Sequence, residues 1–410
     1  MEKLTKDGSF LTSLGPQWTA TAYVATVSIL LTFILGRRLG PELFGQYSYV
    51  LTAAAIFAIL LDNGYKTVLY RENTSPSPKL RHLQSKLTAL AEGNALTFCF
   101  FGLLLVWLLP VTDKKVLSAA ILCFSLQTGA NFVSANLKAK GKFQTEAGWQ
   151  ILVRTLGAVG ILFFLFSDQN EPFYIFTGWA AGITAALFLV IRHIKIPRFK
   201  ELIDPELAKT CLALMAIEAA TVIYFRIDII ILNHLGKNSA QVGEYAAAYR
   251  FIEGIVLIFT PVSIILFRRF RRLWQKPSQF NKTVFKAAGL MLFCAIIISL
   301  FGVTFKTELI QLAYGTEYVL ASTLLGWLLL SLIFILPNGI LAQATIAVNS
   351  ETYYAQAAAL CAAANFLLNI ILIPKFGALG AAWATVITEA ILLACLAAKL
   401  TGLKQNFCSS

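Results

Sequence analysis

Trp18–Leu35 reads WTATAYVATVSILLTFIL, eighteen residues without one charged side chain. Two further runs, Phe173–Ile191 and Ala287–Phe305, are nineteen residues each and equally uncharged. A helix rises about 1.5 Å per residue, so about 20 apolar residues match a hydrocarbon core about 30 Å thick. The same excess runs through the chain. Of its 410 residues 58% are hydrophobic and 13% charged, against roughly half and a quarter in soluble domains. The fold class that follows is an all-α polytopic membrane protein. A soluble enzyme and a nucleic-acid-binding domain are excluded. Continuous apolar runs also exclude an outer-membrane barrel, whose strands alternate between apolar and polar.

Outward from these runs the chain yields about twelve predicted transmembrane helices. They fall at 17–36, 46–69, 86–110, 116–137, 146–167, 173–192, 210–235, 244–267, 287–306, 318–348, 352–373 and 380–398. Pro337 removes a backbone donor inside the tenth and predicts a kink or break there. An even number of crossings places both termini on one side.

Lysine and arginine say which side. The formal net charge is +13, and its distribution is that of a membrane topology rather than a nucleic-acid footprint. The N-terminal tail, the C-terminal tail and the loops after even-numbered helices hold 23 of the 34 basic residues, including Lys138, Lys140, Lys142 and the cluster Arg268, Arg269, Arg271 and Arg272. The opposite loops hold seven: Arg37, Arg38, Lys114, Lys115, Lys237, Lys306 and Lys375. Cytoplasmic loops carry the basic excess, so both termini are expected in the cytoplasm. Met1–Pro16 is too mixed for a signal peptide, and the first run is expected to be a span. The seven cysteines form no C-x-x-C pair, and six lie in or beside apolar segments. They read as small buried hydrophobes rather than disulfides or metal ligands.

Leu39-Gly40-Pro41-Glu42-Leu43-Phe44-Gly45-Gln46-Tyr47 has a counterpart at Leu235-Gly236 followed by Val242-Gly243-Glu244-Tyr245. Both place Leu-Gly after an apolar run, and an apolar-Gly-polar-Tyr step at the next helix. The two sites lie six helices apart and face the same external side. That pattern predicts two six-helix bundles, 1–205 and 206–410, related by a pseudo-two-fold axis normal to the membrane.

No G-x-x-x-x-G-K-[ST] loop, H-E-x-x-H or G-x-S-x-G motif is present, so neither P-loop ATP hydrolysis nor a recognised catalytic site is expected. His82, His193 and His234 are scattered, and no metal site or cofactor is expected. Ionisable residues inside spans are costly and face a cavity or a partner. Asp62–Lys66, four apart, and Arg250–Glu253, three apart, can each neutralise along its own helix. Arg154 and Arg226 have no carboxylate three or four residues away. Each needs either an interhelix carboxylate, for example Glu218 or Asp62, or an anionic ligand. Their planar forks suit phosphate oxygens. Arg226, Arg154 and Arg250 are therefore the candidate substrate-phosphate residues. Asp62, Glu218, Asp228 and Glu253 are the candidate ion-coupling carboxylates, for H+ or Na+.

The first external turn, with Leu61-Asp62-Asn63-Gly64-Tyr65 and Tyr70-Arg71-Glu72, resembles bacterial polysaccharide (O-antigen type, Wzx-like) flippases. So do Arg226-Ile227-Asp228 with Val242-Gly243-Glu244-Tyr245. The most specific stretch is Asn365-Phe366-Leu367-Leu368-Asn369 through Ile373-Pro374-Lys375-Phe376-Gly377-Ala378-Leu379-Gly380-Ala381-Ala382. The chain departs from the family pattern at Asn63 and Tyr65, around Gly64. The family lies in the multidrug/oligosaccharidyl-lipid/polysaccharide exporter superfamily. The resemblance implies a transporter rather than an enzyme, with a central cavity and alternating access. It implies a substrate too: an undecaprenyl-diphosphate-linked oligosaccharide repeat unit moved from the cytoplasmic to the periplasmic leaflet of the bacterial inner membrane. Polysaccharide polymerase machinery is the implied partner beyond the lipid bilayer, with no nucleic acid.

Three rivals remain at this stage. A multidrug or small-cation exporter of the same superfamily would favour acidic cavity residues over Arg154, Arg226 and Arg250. A membrane-embedded glycosyltransferase or polymerase would need carboxylates and a sizeable loop at the membrane surface, and the external loops here are short. A lipid II flippase would carry two further helices, for which this chain has no room.

Overall fold

The computed structural model describes residues 9–74, 80–108, 110, 113–167, 169–189, 204–236 and 238–408. The basic positions Lys3, Lys6, Lys79, Arg192, Lys195, Arg198, Lys200 and Lys237, and His193, lie outside these residues. Among the described residues every regular element is a helix, as the apolar runs predict. Among these described residues nine helices are long and apolar enough to span a bilayer, and Pro172–Phe188 is a shorter apolar helix.

The order is α1 Ser9–Asp62, α2 Tyr65–Thr74, α3 Leu87–Leu108, α4 Lys114–Ala139, α5 Phe143–Phe166, α6 Pro172–Phe188 and α7 Pro205–Leu235. It continues with α8 Ser239–Leu273, α9 Pro277–Thr304, α10 Lys306–Tyr314, α11 Val319–Ala347, α12 Glu351–Phe376 and α13 Ala378–Cys408. The predicted turn between the first two spans shrinks to one non-helical residue inside α1, Gly40 (φ 69°, ψ 174°). The predicted second span, 46–69, is not continuous. It breaks at Asn63 and Gly64, whose φ angles are 45° and 75°. These are left-handed conformations that glycine adopts freely and asparagine tolerates. Conversely, α11 runs through Pro337 as one helix. Packing against α8, α9 and α13 holds it there, so one missing donor does not end it. The nine-residue α10 has no counterpart among the predicted helices.

The chain forms two compact units. The first comprises Met1–Leu39 with Val50–Phe225, and the second Gly40–Tyr49 with Arg226–Ser410. In the first unit α2, α3, α4 and the start of α7 share a core of Val68, Leu69, Leu87, Leu90, Phe132, Leu207 and Cys211. In that unit α5 and α6 pack backbone to backbone, because Gly160 and Gly178 carry no side chain between them. Small residues at helix contacts are the usual route to close packing in lipid. In the second unit α11 is the central helix, buried along nearly its whole length. The large apolar side chains left exposed include Phe100, Phe101 and Trp107 on α3, and Phe293, Ile297, Leu300 and Phe301 on α9. An apolar exterior is what a bilayer selects. The cysteines Cys99, Cys123, Cys211, Cys294, Cys361 and Cys395 are free thiols, four of them buried.

Candidate functional site

A cavity of 610 Å³ lies within the first unit, lined from α1, α2, α4, α5 and α6. Its polar wall is built from stripes at helical spacing. On α4 the residues are Gln127, Asn131, Ser134 and Lys138, spaced by four, three and four. On α5 Glu146, Gln150 and Arg154 recur every four, and Gln150 and Arg154 line the cavity. The third side comes from α2 with Lys66, Thr67 and Tyr70, and the indoles of Trp149 and Trp179 complete the wall. Residues three or four apart stack on one helix face, so each stripe faces one way. The stripe on α4 extends eleven residues, about 16 Å along the axis at 1.5 Å per residue.

Three cations line this space: Lys66, Lys138 and Arg154. Lys138 Nζ lies 3.2 Å from Glu146 Oε1. Glu146 is wholly buried and also accepts hydrogen bonds from Gln17, Ser134 and Gln150. Its charge is thus met from α1, α4 and α5, which ties the three helices together beside the cavity. Lys66 Nζ lies 3.5 Å from Glu218 Oε1. The Arg154 guanidinium stands over the Trp179 ring, 5.9 Å from its centroid, at cation–π range.

Asp62 and Lys66 do not form the ion pair within one helix that their spacing predicts. The break at Asn63–Gly64 puts Asp62 at the N-terminus of α2, where Oδ1 accepts the backbone N–H of Lys66 at 3.1 Å. The Lys66 ammonium goes to Glu218 instead.

The remaining candidates fall in the second unit. Arg250 hydrogen-bonds Glu253 along α8, as its spacing predicts. Arg226 Nη2 lies 3.8 Å from the other oxygen of the same carboxylate. Two guanidinium groups therefore share one carboxylate, which leaves the trio one positive charge. Asp228 is buried and accepts hydrogen bonds from Tyr245 Oη and, at 2.8 Å, from the backbone N–H of Ile229. Glu389 is buried as well and accepts from Asn338 Nδ2 at 2.8 Å. The seven predicted site residues thus divide between the units: Arg154, Asp62 and Glu218 in the first, Arg226, Asp228, Arg250 and Glu253 in the second.

Sequence reasoning centred on charge missed Lys66 and Lys138 as cavity residues, along with the amides and indoles beside them. The signal was present as a polar stripe at 127, 131, 134 and 138 in an otherwise apolar helix.

A family model described as "Polysaccharide biosynthesis protein" matches residues 15–274. Over 308 residues, 73% of this chain, the sequence is 24% identical to the succinoglycan biosynthesis transport protein ExoT of Rhizobium meliloti. Over 170 residues, 41% of this chain, it is 26% identical to the probable low-salt glycan biosynthesis flippase Agl15 of Haloferax volcanii. The matches span 61% and 36% of those relatives, less than two thirds of either. Among solved structures, the lipid II flippase MurJ in an inward closed conformation matches with a TM-score of 0.75 at 15% identity, over 94% of this chain and 87% of that one. An inward-facing multidrug resistance MATE family transporter of the MOP superfamily matches with a TM-score of 0.65 at 11% identity, over 93% and 96%. At such identities the likeness is one of fold. The family match covers well over half of the chain and takes in every helix that lines the cavity, so this multi-pass membrane protein belongs to the polysaccharide biosynthesis protein family.

Proposed function

We propose that the protein is a flippase for polyprenyl-diphosphate-linked oligosaccharide units, moving them from the cytoplasmic to the periplasmic leaflet by alternating access. The observation that carries this reading is the cavity of the first unit. Its cations, Lys66, Lys138 and Arg154, suit an anionic diphosphate. Its amides and indoles suit sugar hydroxyls and sugar faces. The names of the two relatives, a transport protein and a probable flippase of glycan biosynthesis, point the same way. A small-cation exporter is disfavoured, because the cavity lining carries Lys66, Lys138 and Arg154 and, among the described residues, no carboxylate to attract a cation.

In this reading the oligosaccharide is carried on undecaprenyl diphosphate in a bacterial inner membrane, and both termini are cytoplasmic. The repeat halves are 1–205 and 206–410. Arg154 meets the diphosphate first, and the charge left on Arg226, Arg250 and Glu253 offers a second station. Asp62, Glu218, Asp228 and Glu253 are the carboxylates that couple H+ or Na+ movement, and a polysaccharide polymerase receives the product. The test is genetic. Deleting the gene should remove surface polysaccharide and trap lipid-linked oligosaccharide on the cytoplasmic face. Normal surface polysaccharide, or lipid-linked units found outside the membrane, would contradict it.

A further inference from the structure

One face of α9 is buried and the opposite face is not. Phe280, Val284, Ala288, Met291 and Ala295 turn into the second unit. Lys282, Lys286, Phe293, Ile296 and Leu300 are exposed, at spacings that keep them on one side of a helix. From Lys286 to the end of α9 at Thr304 no charge intervenes. That stretch is about 27 Å long at 1.5 Å per residue, close to a hydrocarbon core of about 30 Å. Lys286 therefore stands where hydrocarbon gives way to headgroups, and Lys282 stands one turn further out.

The exposed side of α8 changes character at the same end. Ile258 and Ile265 are exposed, and Arg268, Arg269 and Arg272 follow them on that face, all exposed. Phe270 and Phe280 are buried together, their ring centroids 6.1 Å apart, which holds the two helix ends side by side. The exposed Lys276 lies in the short turn between them. Arg271 is engaged elsewhere. Its Nη1 donates to the carbonyl of Ala347 and to Asn349 Oδ1, both at 2.7 Å, and so ties α8 to the end of α11. No acidic residue occurs in the sequence between Glu253 and Glu308. Among the described residues, none of the exposed cations of this corner is ion-paired with a carboxylate.

We propose that this corner of α8 and α9 is a binding site for an anionic phospholipid. The lipid phosphodiester sits among Arg268, Arg269, Arg272, Lys282 and Lys286, and the acyl chains lie along the exposed apolar face of α9. A signal for membrane topology requires only a count of basic residues in a loop. Here the cations stand at headgroup depth, on two packed helices whose exposed faces continue into hydrocarbon. Guanidinium forks and ammonium groups both suit phosphodiester oxygens. The apolar face beneath the cations selects a phosphodiester that carries acyl chains over a soluble phosphate.

Native mass spectrometry of the purified full-length protein in detergent tests it, with dioleoyl phosphatidylglycerol and dioleoyl phosphatidylcholine as probes. The site variant joins Lys282→Gln to Lys286→Gln and keeps the four arginines of α8. The control joins Lys140→Gln to Lys142→Gln in the turn between α4 and α5, removing the same charge elsewhere. Phosphatidylglycerol should bind more tightly than phosphatidylcholine. Each basic residue near an anionic lipid contributes about fivefold in affinity, so the site variant should bind phosphatidylglycerol about 30-fold more weakly. The control should bind it as the unaltered protein does. If the double variant does not fold, judged by its unfolding temperature, Lys282→Gln alone should show the fivefold loss. Equal binding of the two lipids overturns the proposal, leaving an apolar seat only. Equal loss in the site variant and the control overturns it too, leaving net charge only. Displacement of phosphatidylglycerol by excess inorganic phosphate would make the corner a site for soluble phosphate instead. Failure to retain phosphatidylglycerol at all also overturns it.

Discussion

Gly45 and Gly243 pack backbone against backbone in the second unit, and they do so reciprocally. A Cβ on Gly45 would lie 1.9 Å from the carbonyl oxygen of Ser239, four residues before Gly243. A Cβ on Gly243 would lie 2.0 Å from the carbonyl oxygen of Pro41, four residues before Gly45. The two glycines hold equivalent places in the paired motifs Phe44-Gly45-Gln46-Tyr47 and Val242-Gly243-Glu244-Tyr245. The two similar motifs thus meet at one contact.

Gly45→Ala and Gly243→Ala should each force these backbones apart. Overpacking of this kind costs about 1–3 kcal/mol, read as a lower unfolding temperature of the purified protein. Gly289→Ala is the control. It meets nothing within 4 Å and lies inside α9, where alanine should stabilise by up to about 1 kcal/mol. Equal stability of all three variants would show that the contact is not close.

The turn at Asn63–Gly64 illustrates what the sequence makes legible. The long apolar runs fix the helices and their order, because length and hydropathy are local properties. Asn-Gly is itself a turn signal, but here it sits within a run that is otherwise helical to residue 69. Reading 46–69 as one helix placed Asp62 and Lys66 on one face. The break gives Asp62 to the α2 backbone and Lys66 to Glu218. The Arg226–Glu253 partnership, 27 positions apart, is a tertiary contact that no spacing rule supplies. The polar stripes of the cavity were readable at helical spacing, but uncharged amides do not stand out in a count of charges.

Asp204 caps α7 from outside the spans. It precedes Pro205, and its Oδ1 accepts the backbone N–H of Leu207 at 2.9 Å. His82 Nε2 lies 3.1 Å from Oδ2. The Leu207 N–H, with a smaller contribution from His82, holds the Asp204 carboxyl below its ordinary pKa. A depressed carboxylate stabilises the fold fully above its unfolded pKa, about 3.9, and loses that contribution as pH falls through the lowered value. Asp204→Ala should cost about 1 kcal/mol. Unfolding temperatures should show a constant deficit from about pH 8 to pH 5 that narrows only below about pH 4. A deficit that fades by pH 6 would contradict the capping role.

Arg226 has a protein carboxylate within reach, so its two roles separate experimentally. If it holds Glu253 in place, Arg226→Ala should lower protein abundance, and adding Glu253→Gln should restore it with or without substrate synthesis. If it serves as a phosphate station, Arg226→Ala should be abundant yet support little surface polysaccharide, and Arg226→Lys should support part. An abundant Arg226→Ala protein with normal polysaccharide would exclude both roles.

The basic asymmetry predicts sidedness. On a background without native cysteines, Gln169→Cys, after α5, should be labelled from outside by an impermeant thiol reagent. Ser278→Cys, at the start of α9, should be protected until the membrane is opened. The reverse pattern would invert the orientation and the direction of transport with it.

Arg154 tests the central claim most directly. A lost charged hydrogen bond costs about 1.5–3 kcal/mol, roughly 10- to 150-fold in an equilibrium. The measurement is surface polysaccharide restored to a deletion strain by Arg154→Ala and Arg154→Lys, each normalised to its abundance in the membrane. A diphosphate cavity in the first unit predicts near-complete loss for alanine and partial function for lysine, which keeps the charge without the fork. Normal surface polysaccharide from an abundant Arg154→Ala protein would contradict it.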